Sequence, residues 1–264
     1  MSAPFRLPTR EVAKVWGCDA LPAPFAAPAG ERIGEIWFEP ALPVAGLLAK
    51  YLFTSEKLSV QVHPSDAQAP AGMRGKEECW LVLDAEPGAS LAIGFDQPIG
   101  PEAMRAAALD GSIEQLLTWH KVQRGDVFYL PAGTVHAIGP GLALVEIQQN
   151  SDITYRLYDY GRPRELHLDA ALAVAQGAPY DPALRGHVDF TRSQRLVSGP
   201  KFTIDLVVGT AKPDVPGPCL VMPLEGKATI DGSELEAGEC AAVASLSGVQ
   251  FAPAGCALVA AELG

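Results

Sequence analysis

The stretch Gly125-Asp126-Val127-Phe128-Tyr129-Leu130-Pro131-Ala132-Gly133-Thr134-Val135-His136 decides the fold. Asp126 to Leu130 reads as a short strand. Pro131 and Gly133 stop it in a turn, and His136 falls on the strand that follows. The stretch thus reads as a strand, a tight turn and a histidine on the next strand.

Two further segments carry polar residues on strand faces. In Leu58-Ser59-Val60-Gln61-Val62-His63 the apolar Leu58, Val60 and Val62 alternate with Ser59, Gln61 and His63, the period of a two-faced strand that Pro64 ends. Gln61 and His63 therefore share a face and can reach one ion. Glu78 opens the next strand, in which Glu78, Trp80 and Val82 lie on one face and Cys79, Leu81 and Leu83 on the other. A carboxylate among large apolar residues needs a partner, either neighbouring Lys76 or the site that Gln61 and His63 begin. Downstream, Glu146 and Gln148 share a strand face, and Arg156 follows twenty residues after His136.

The rest of the chain suits a mainly β fold. It has 264 residues, 48% of them hydrophobic, with 26 Gly and 23 Pro scattered without a repeat. Ile33 to Phe38 and Val44 to Phe53 read as early strands, Ala143 to Gln148 as a later one, and Arg164 to Gln176 as an amphipathic helix. Pro101 to Leu117 reads as two short helices broken at Gly111, an insertion in a sheet. Beyond a Pro/Gly-rich connector, Phe202 to Val208, Cys219 to Met222, Ala228 to Ile230 and Ala257 to Glu262 read as strands, with a turn at Asp231-Gly232. Residues 1–180 thus form an expected first domain, with the insertion at about 101–118, and 181–264 a connector and a smaller β domain. All five histidines (His63, His120, His136, His167 and His187) precede that last set of strands, so a His-based metal site belongs to the first domain. His120, His167 and His187 share no spacing with the others and are set aside as structural.

A formal net charge of -11, with no basic run, disfavours nucleic acid and anionic membranes as partners. The same field opposes a phosphorylated substrate, so local cations in a cleft would have to hold one. Five scattered cysteines without a C-x-x-C pair suit a reducing compartment, and Met1 to Gly17 lacks the apolar run of a signal or anchor, so a cytoplasmic location is expected.

The quoted stretch resembles the second cupin motif, G-x5-P-x-G-x2-H, which implies a jelly-roll β-barrel with a metal held by inward-facing residues, and the smaller β domain is then expected to be a degenerate cupin-like one. Gln61, His63, Glu78 and His136 then form a ligand set of two imidazoles, a carboxylate and an amide oxygen that suits Zn2+, with manganese, iron and cobalt also acceptable. The resemblance widens over Leu58 to Asp66, Gly75 to Trp80, Pro131 to Gly139 and Glu146 to Arg162. Together with Lys14-Val15-Trp16-Gly17, Gly34-Glu35-Ile36-Trp37 and Arg164-Glu165-Leu166-His167-Leu168, these segments look like the short bacterial type I mannose-6-phosphate isomerases. That likeness is close over residues 10–175 and loose beyond, and it implies one zinc and a catalytic Arg156, with Lys76 and Glu146 at neighbouring active-site positions. Its implied reaction, aldose-ketose exchange through an enediol(ate), needs a metal, a cation near the developing charge and a general base. Glu146 is the preferred base, ahead of Lys76 and a metal-bound water, and Lys76 and Arg156 are the expected phosphate holders. An isomerase of another sugar phosphate, a metal-dependent cupin dioxygenase and a non-catalytic sugar-binding cupin are the alternatives. Oligomeric state is left open.

Overall fold

The computed structural model describes residues 6–263; the first five residues of the Met1 to Gly17 stretch lie outside it. The chain runs through β1 (Thr9–Cys18), β2 (Ile33–Phe38), β3 (Leu47–Thr54), β4 (Val60–Val62), β5 (Glu78–Ala85) and β6 (Ser90–Phe95). Helices α1 (Pro101–Asp110) and α2 (Ile113–Leu116) follow. Next come β7 (Leu117–Lys121), β8 (Asp126–Leu130), β9 (His136–Ile138), β10 (Leu142–Gln149), β11 (Tyr155–Tyr158), α3 (Leu168–Val174) and β12 (Arg185–His187). These strands make two antiparallel sheets, of order β1-β2-β3-β10-β5-β8-β12 and β11-β4-β9-β6-β7.

The two sheets face each other. Leu52, Trp80, Phe128, Leu130 and Leu144 of the larger sheet pack with Leu91, Ile93 and Ile138 of the smaller. Each fully buried side chain of this kind contributes roughly 1.5–3 kcal/mol. Alternation sends Cys79, Leu81, Val145, Ile147, Tyr51 and Phe53 to the opposite face of the larger sheet, where a second core forms. Phe202, Ile204 and Leu206 cover that face, so the sheet is buried on both sides.

The covering layer is built from β13 (Gln194–Ser198), β14 (Phe202–Val208), β15 (Cys219–Glu225), β16 (Lys227–Ile230), β17 (Ser233–Glu236), β18 (Ala241–Val243), β19 (Val249–Phe251) and β20 (Cys256–Glu262). They form sheets of order β13-β14-β20-β15-β18 and β17-β16-β19. Phe202, Ile204, Leu206, Leu220 and Leu258 meet the first unit, while Val207, Val221, Leu235, Val249, Phe251 and Val259 fill the space between the two small sheets. The hairpin joining β16 and β17 turns on Asp231 and Gly232, both at positive φ (49° and 85°), as the Asp-Gly signal predicts.

Several boundaries differ from the sequence reading. Strands begin at Thr9, ahead of Ile33, and β12 lies beyond residue 180 yet pairs with β8, Arg185 opposite Phe128. The break between α1 and α2 does fall at Gly111, at φ 83°, as expected from the sequence. The helix expected from Arg164 starts only at Leu168, because His167 N–H donates to the Arg156 carbonyl and holds the preceding residues away from helical geometry. All five cysteines are free, and four of them are buried. No helix among the described residues is long and apolar enough to cross a membrane.

Candidate metal centre

Register brings the expected ligands together. Gln61 on β4 lies directly across from His136 on β9, and Arg156 on β11 lies across from Gln61 on its other side. From the facing sheet, Glu78 on β5 pairs with Gln148 on β10, Trp80 with Glu146, and Glu146 with Lys50 on β3. Cross-strand partners share a face, so each sheet delivers its polar residues to the same interior space. His63 follows directly after β4, with Gly133 N–H donating to its carbonyl at 2.8 Å.

The result is a buried His63–Glu78–His136 cluster whose ligand atoms all lie within 4.8 Å of one another. Glu78 Oε2 is 3.4 Å from His63 Nε2, and Glu78 Oε1 is 3.3 Å from His136 Nε2. Each imidazole is oriented from behind: His63 Nδ1 is 2.7 Å from the Ile153 carbonyl and His136 Nδ1 is 2.9 Å from the Thr134 carbonyl. With Nδ1–H donating to those carbonyls, both Nε2 lone pairs face Glu78, the arrangement of metal-binding histidines. Glu78 Oε1 is buried without a hydrogen-bond partner, which a cation between the three side chains would supply.

Gln61 completes the set: its Nε2 is 3.3 Å from His136 Nε2 while its Oε1 accepts from Ser59 Oγ at 3.1 Å. The amide's two ends are interchangeable by a half-turn that keeps the Ser59 bond with roles reversed, so an oxygen can face the cluster.

Around the cluster lies a lysine-carboxylate network. Lys76 Nζ donates to Glu78 Oε2 and sits 3.2 Å from His63 Nε2 and 3.8 Å from Glu146 Oε1. Lys50 Nζ donates to Glu146 Oε1 at 3.0 Å and to Gln148 Oε1 at 2.6 Å, and lies 4.5 Å from the Trp37 ring centre. Trp80 Nε1–H donates to Glu146 Oε2 at 2.9 Å. Burial alone would raise the Glu146 carboxyl, but Lys50, Lys76 and the Trp80 donor overcome it and hold the group down at about 2. Burial, with the Glu146 charge added, pushes Glu78 up to about 7 despite Lys76. Burial lowers His136 to about 4 and holds His63 well below the ordinary imidazole range. Lys76 is raised, the two carboxylates outweighing its desolvation.

Both oxygens of Glu146, the base expected from sequence, are engaged, Oε1 by Lys50 and Oε2 by Trp80, and its carboxylate faces Lys50 and Lys76. The reading from sequence did not find Lys50.

A cleft of about 390 Å³ lies beside the cluster, which it adjoins through Gln61 and Lys76; it is also lined by Lys14, Glu35, Trp37, Lys50, Glu146, Asp152, Arg156, Arg164 and His167, among others. Five lining cations stand against three lining carboxylates among the described residues, a locally positive site in a chain of net charge -11. Arg156 has no carboxylate within 4.0 Å among the described residues; burial and the neighbouring Arg164 depress its pKa. His167, set aside from sequence, lines this cleft and accepts from the Arg156 backbone N–H at 3.2 Å. The other two histidines lie elsewhere: His120 packs against Phe128 and Tyr180, and His187 pairs with Asp126 at 2.9 Å.

No protein-family model matches the chain. Among curated relatives, it is 40% identical over 172 residues to the mannose-6-phosphate isomerase of Streptococcus mutans, covering 60% of this chain and 53% of that one. It is 44% identical over 139 residues to mannose-6-phosphate isomerase ManA of Bacillus subtilis, covering 49% and 44%. The chain thus spans about half the length of these curated relatives. The solved mannose 6-phosphate isomerase of Bacillus subtilis superposes with a TM-score of 0.78 at 25% identity, covering 98% of this chain and 99% of that one. A mannose 6-phosphate isomerase solved with zinc and yttrium has a TM-score of 0.71 at 16% identity, covering 97% and 98%, and shares the cupin fold.

Proposed function

The chain belongs to the mannose-6-phosphate isomerase family, and from that premise we propose that it interconverts mannose 6-phosphate and fructose 6-phosphate at one zinc ion held by Gln61, His63, Glu78 and His136. The observation that carries this reading is the buried His63–Glu78–His136 cluster, with its orphaned Glu78 oxygen, next to a cationic cleft that Gln61 and Lys76 line. An ion bound there would supply a Lewis acid that polarises the sugar carbonyl.

The chain's own residues would do the rest. Lys76, beside the cluster, and Lys50, held by Glu146, place two ammonium groups where negative charge develops on the C1 and C2 oxygens during enolisation. Arg156 and Arg164, at the positive mouth, hold the phosphate and so fix the sugar's register against the metal. Proton transfer between C1 and C2 requires a group that is free to accept. Asp152 lines the cleft with no side-chain hydrogen bond or ion pair among the described residues, unlike Glu35 and Glu146, and we assign it that task.

The test is a coupled assay with mannose 6-phosphate on zinc-loaded protein, its chelated form and Arg156→Ala. Turnover that vanishes on chelation and drops sharply in Arg156→Ala is expected. Zinc-loaded protein that binds one ion per chain yet converts no mannose 6-phosphate would refute the activity.

A further inference from the structure

We propose that Asp159 is a positioning residue that presents Arg164 to the substrate phosphate, an inference that rests on the reading of the cleft mouth as the phosphate end. Asp159 is only 2% exposed, at the end of the segment that leaves β11. A buried carboxylate so close to the surface is costly unless fully bonded, and here it is. Arg164 Nε donates to Asp159 Oδ2 at 2.6 Å and Arg164 Nη2 donates to Oδ1 at 2.7 Å, a side-on fork. A guanidinium has five N–H donors, so this fork leaves three, including both on Nη1. Arg164 also lines the cleft beside the unpaired Arg156.

The second arginine of the same loop has another task. Arg162 reaches Asp159 at 3.3 Å but donates mainly to the Lys57 carbonyl at 2.8 Å and to Glu56 Oε2 at 3.0 Å, tying the loop to the segment that leads into β4. Between them the backbone turns sharply. Tyr160 takes φ 55° and Gly161 φ 74°, and Arg162 N–H closes the turn on the Asp159 carbonyl at 3.0 Å. A tyrosine in that region is an uncommon conformation, maintained only where surroundings impose it. The turn brings both arginines back onto one carboxylate. Arg162 anchors the loop, and Asp159 selects the edge of Arg164 that faces the cleft. Without that carboxylate, Arg164 would sample many rotamers, and an anion would have to order it on binding.

The experiment measures inorganic phosphate, as a calorimetric ligand and as a competitive inhibitor, on the zinc-loaded full chain. Asp159→Asn should weaken phosphate about tenfold and put most of its kinetic loss on KM for mannose 6-phosphate. In an Arg164→Ala background the same substitution should add less than about twofold, since a residue acting through Arg164 has nothing left to position. If Asp159→Asn does not fold, Arg164→Lys replaces it: a lysine keeps the charge but not the fork, and should show a comparable loss. Wild-type phosphate affinity in whichever of these variants is measured, or an undiminished Asp159→Asn effect in the Arg164→Ala background, would overturn the assignment. Because phosphate binding is read without turnover, a chain that binds phosphate as described but converts no sugar phosphate would refute the activity and leave this assignment standing.

Discussion

Glu146→Gln separates the two roles a buried carboxylate beside the metal cluster can have. The substitution keeps shape and the Trp80 bond but removes the negative charge that faces Lys50 at 3.0 Å and Lys76 at 3.8 Å. Breaking a buried ion pair costs roughly 3–5 kcal/mol when the partner charge is stranded. Here Lys50 retains Gln148 at 2.6 Å and Lys76 retains Glu78, so the lower end, about 3 kcal/mol, is expected. For a chain of this size that lowers Tm by roughly 6–12 °C. Metal content should stay near one ion per chain, because Glu146 is not a ligand, while turnover falls through the misplaced lysines. The decisive companion is Lys50→Met in the Glu146→Gln background. With both charges gone, stability should recover most of the loss, as replacement of a buried pair by neutral groups does. Thermal unfolding of the chelated wild type, Glu146→Gln, Lys50→Met and the double variant measures this. A Glu146→Gln protein with wild-type Tm, or a double variant no more stable than Glu146→Gln, would refute the view of Glu146 as the lysines' anchor.

Three other outcomes follow from the same geometry. Glu78→Gln removes the one anionic ligand of the cluster and should weaken metal by more than the roughly 10–100-fold that loss of an outer partner costs, which competition with a chromogenic chelator would measure. Asp152→Asn should lower kcat by about a hundredfold or more if that carboxylate moves the proton, with metal content unchanged; kcat within a factor of three would return the search to the lysines. In the chelated protein, acid should destabilise. His136, at about 4 folded against 6.5 unfolded, and the similarly depressed His63 contribute stability that is lost as pH falls below 6.5. Glu78, at about 7 folded against 4.5 unfolded, contributes the opposite way over the same range. Two imidazoles gain protons on unfolding and one carboxyl loses its own, a net uptake of one, so stability drops about 1.4 kcal/mol per unit between pH 6 and 5. Urea midpoints at the two pH values check the sign, and His136→Asn should flatten the slope.

What was legible in the chain, and what was not, follows from how strands encode position. Gln61 with His63, Glu78 with Trp80, and Glu146 with Gln148 each stood out because polar residues recur at a spacing of two beside apolar ones, and that spacing alone assigns a shared face. Lys50 was hidden for the same physical reason. Both faces of the larger sheet are buried, so Leu47–Thr54 is covered along its whole length and shows no alternation to mark Lys50 as inward. Only the pairing of Lys50 with Glu146, a contact across 96 positions, gives the lysine its neighbours. Arg164 and His167 were misread for a different reason: their local composition favours helix, but the Arg156–His167 backbone bonds and the Asp159 fork hold the segment extended, so tertiary contacts override propensity. Gln61, Glu78 and His136 lie on strands and His63 directly follows one. Lys50, which faces Glu146, and Asp159, which holds Arg164, are fixed by pairing and by loop closure, which no window of sequence contains. That division explains why the shared face of Gln61 and His63 was readable from spacing, whereas the pairing of Glu146 with Lys50 and Lys76 emerged only from the fold.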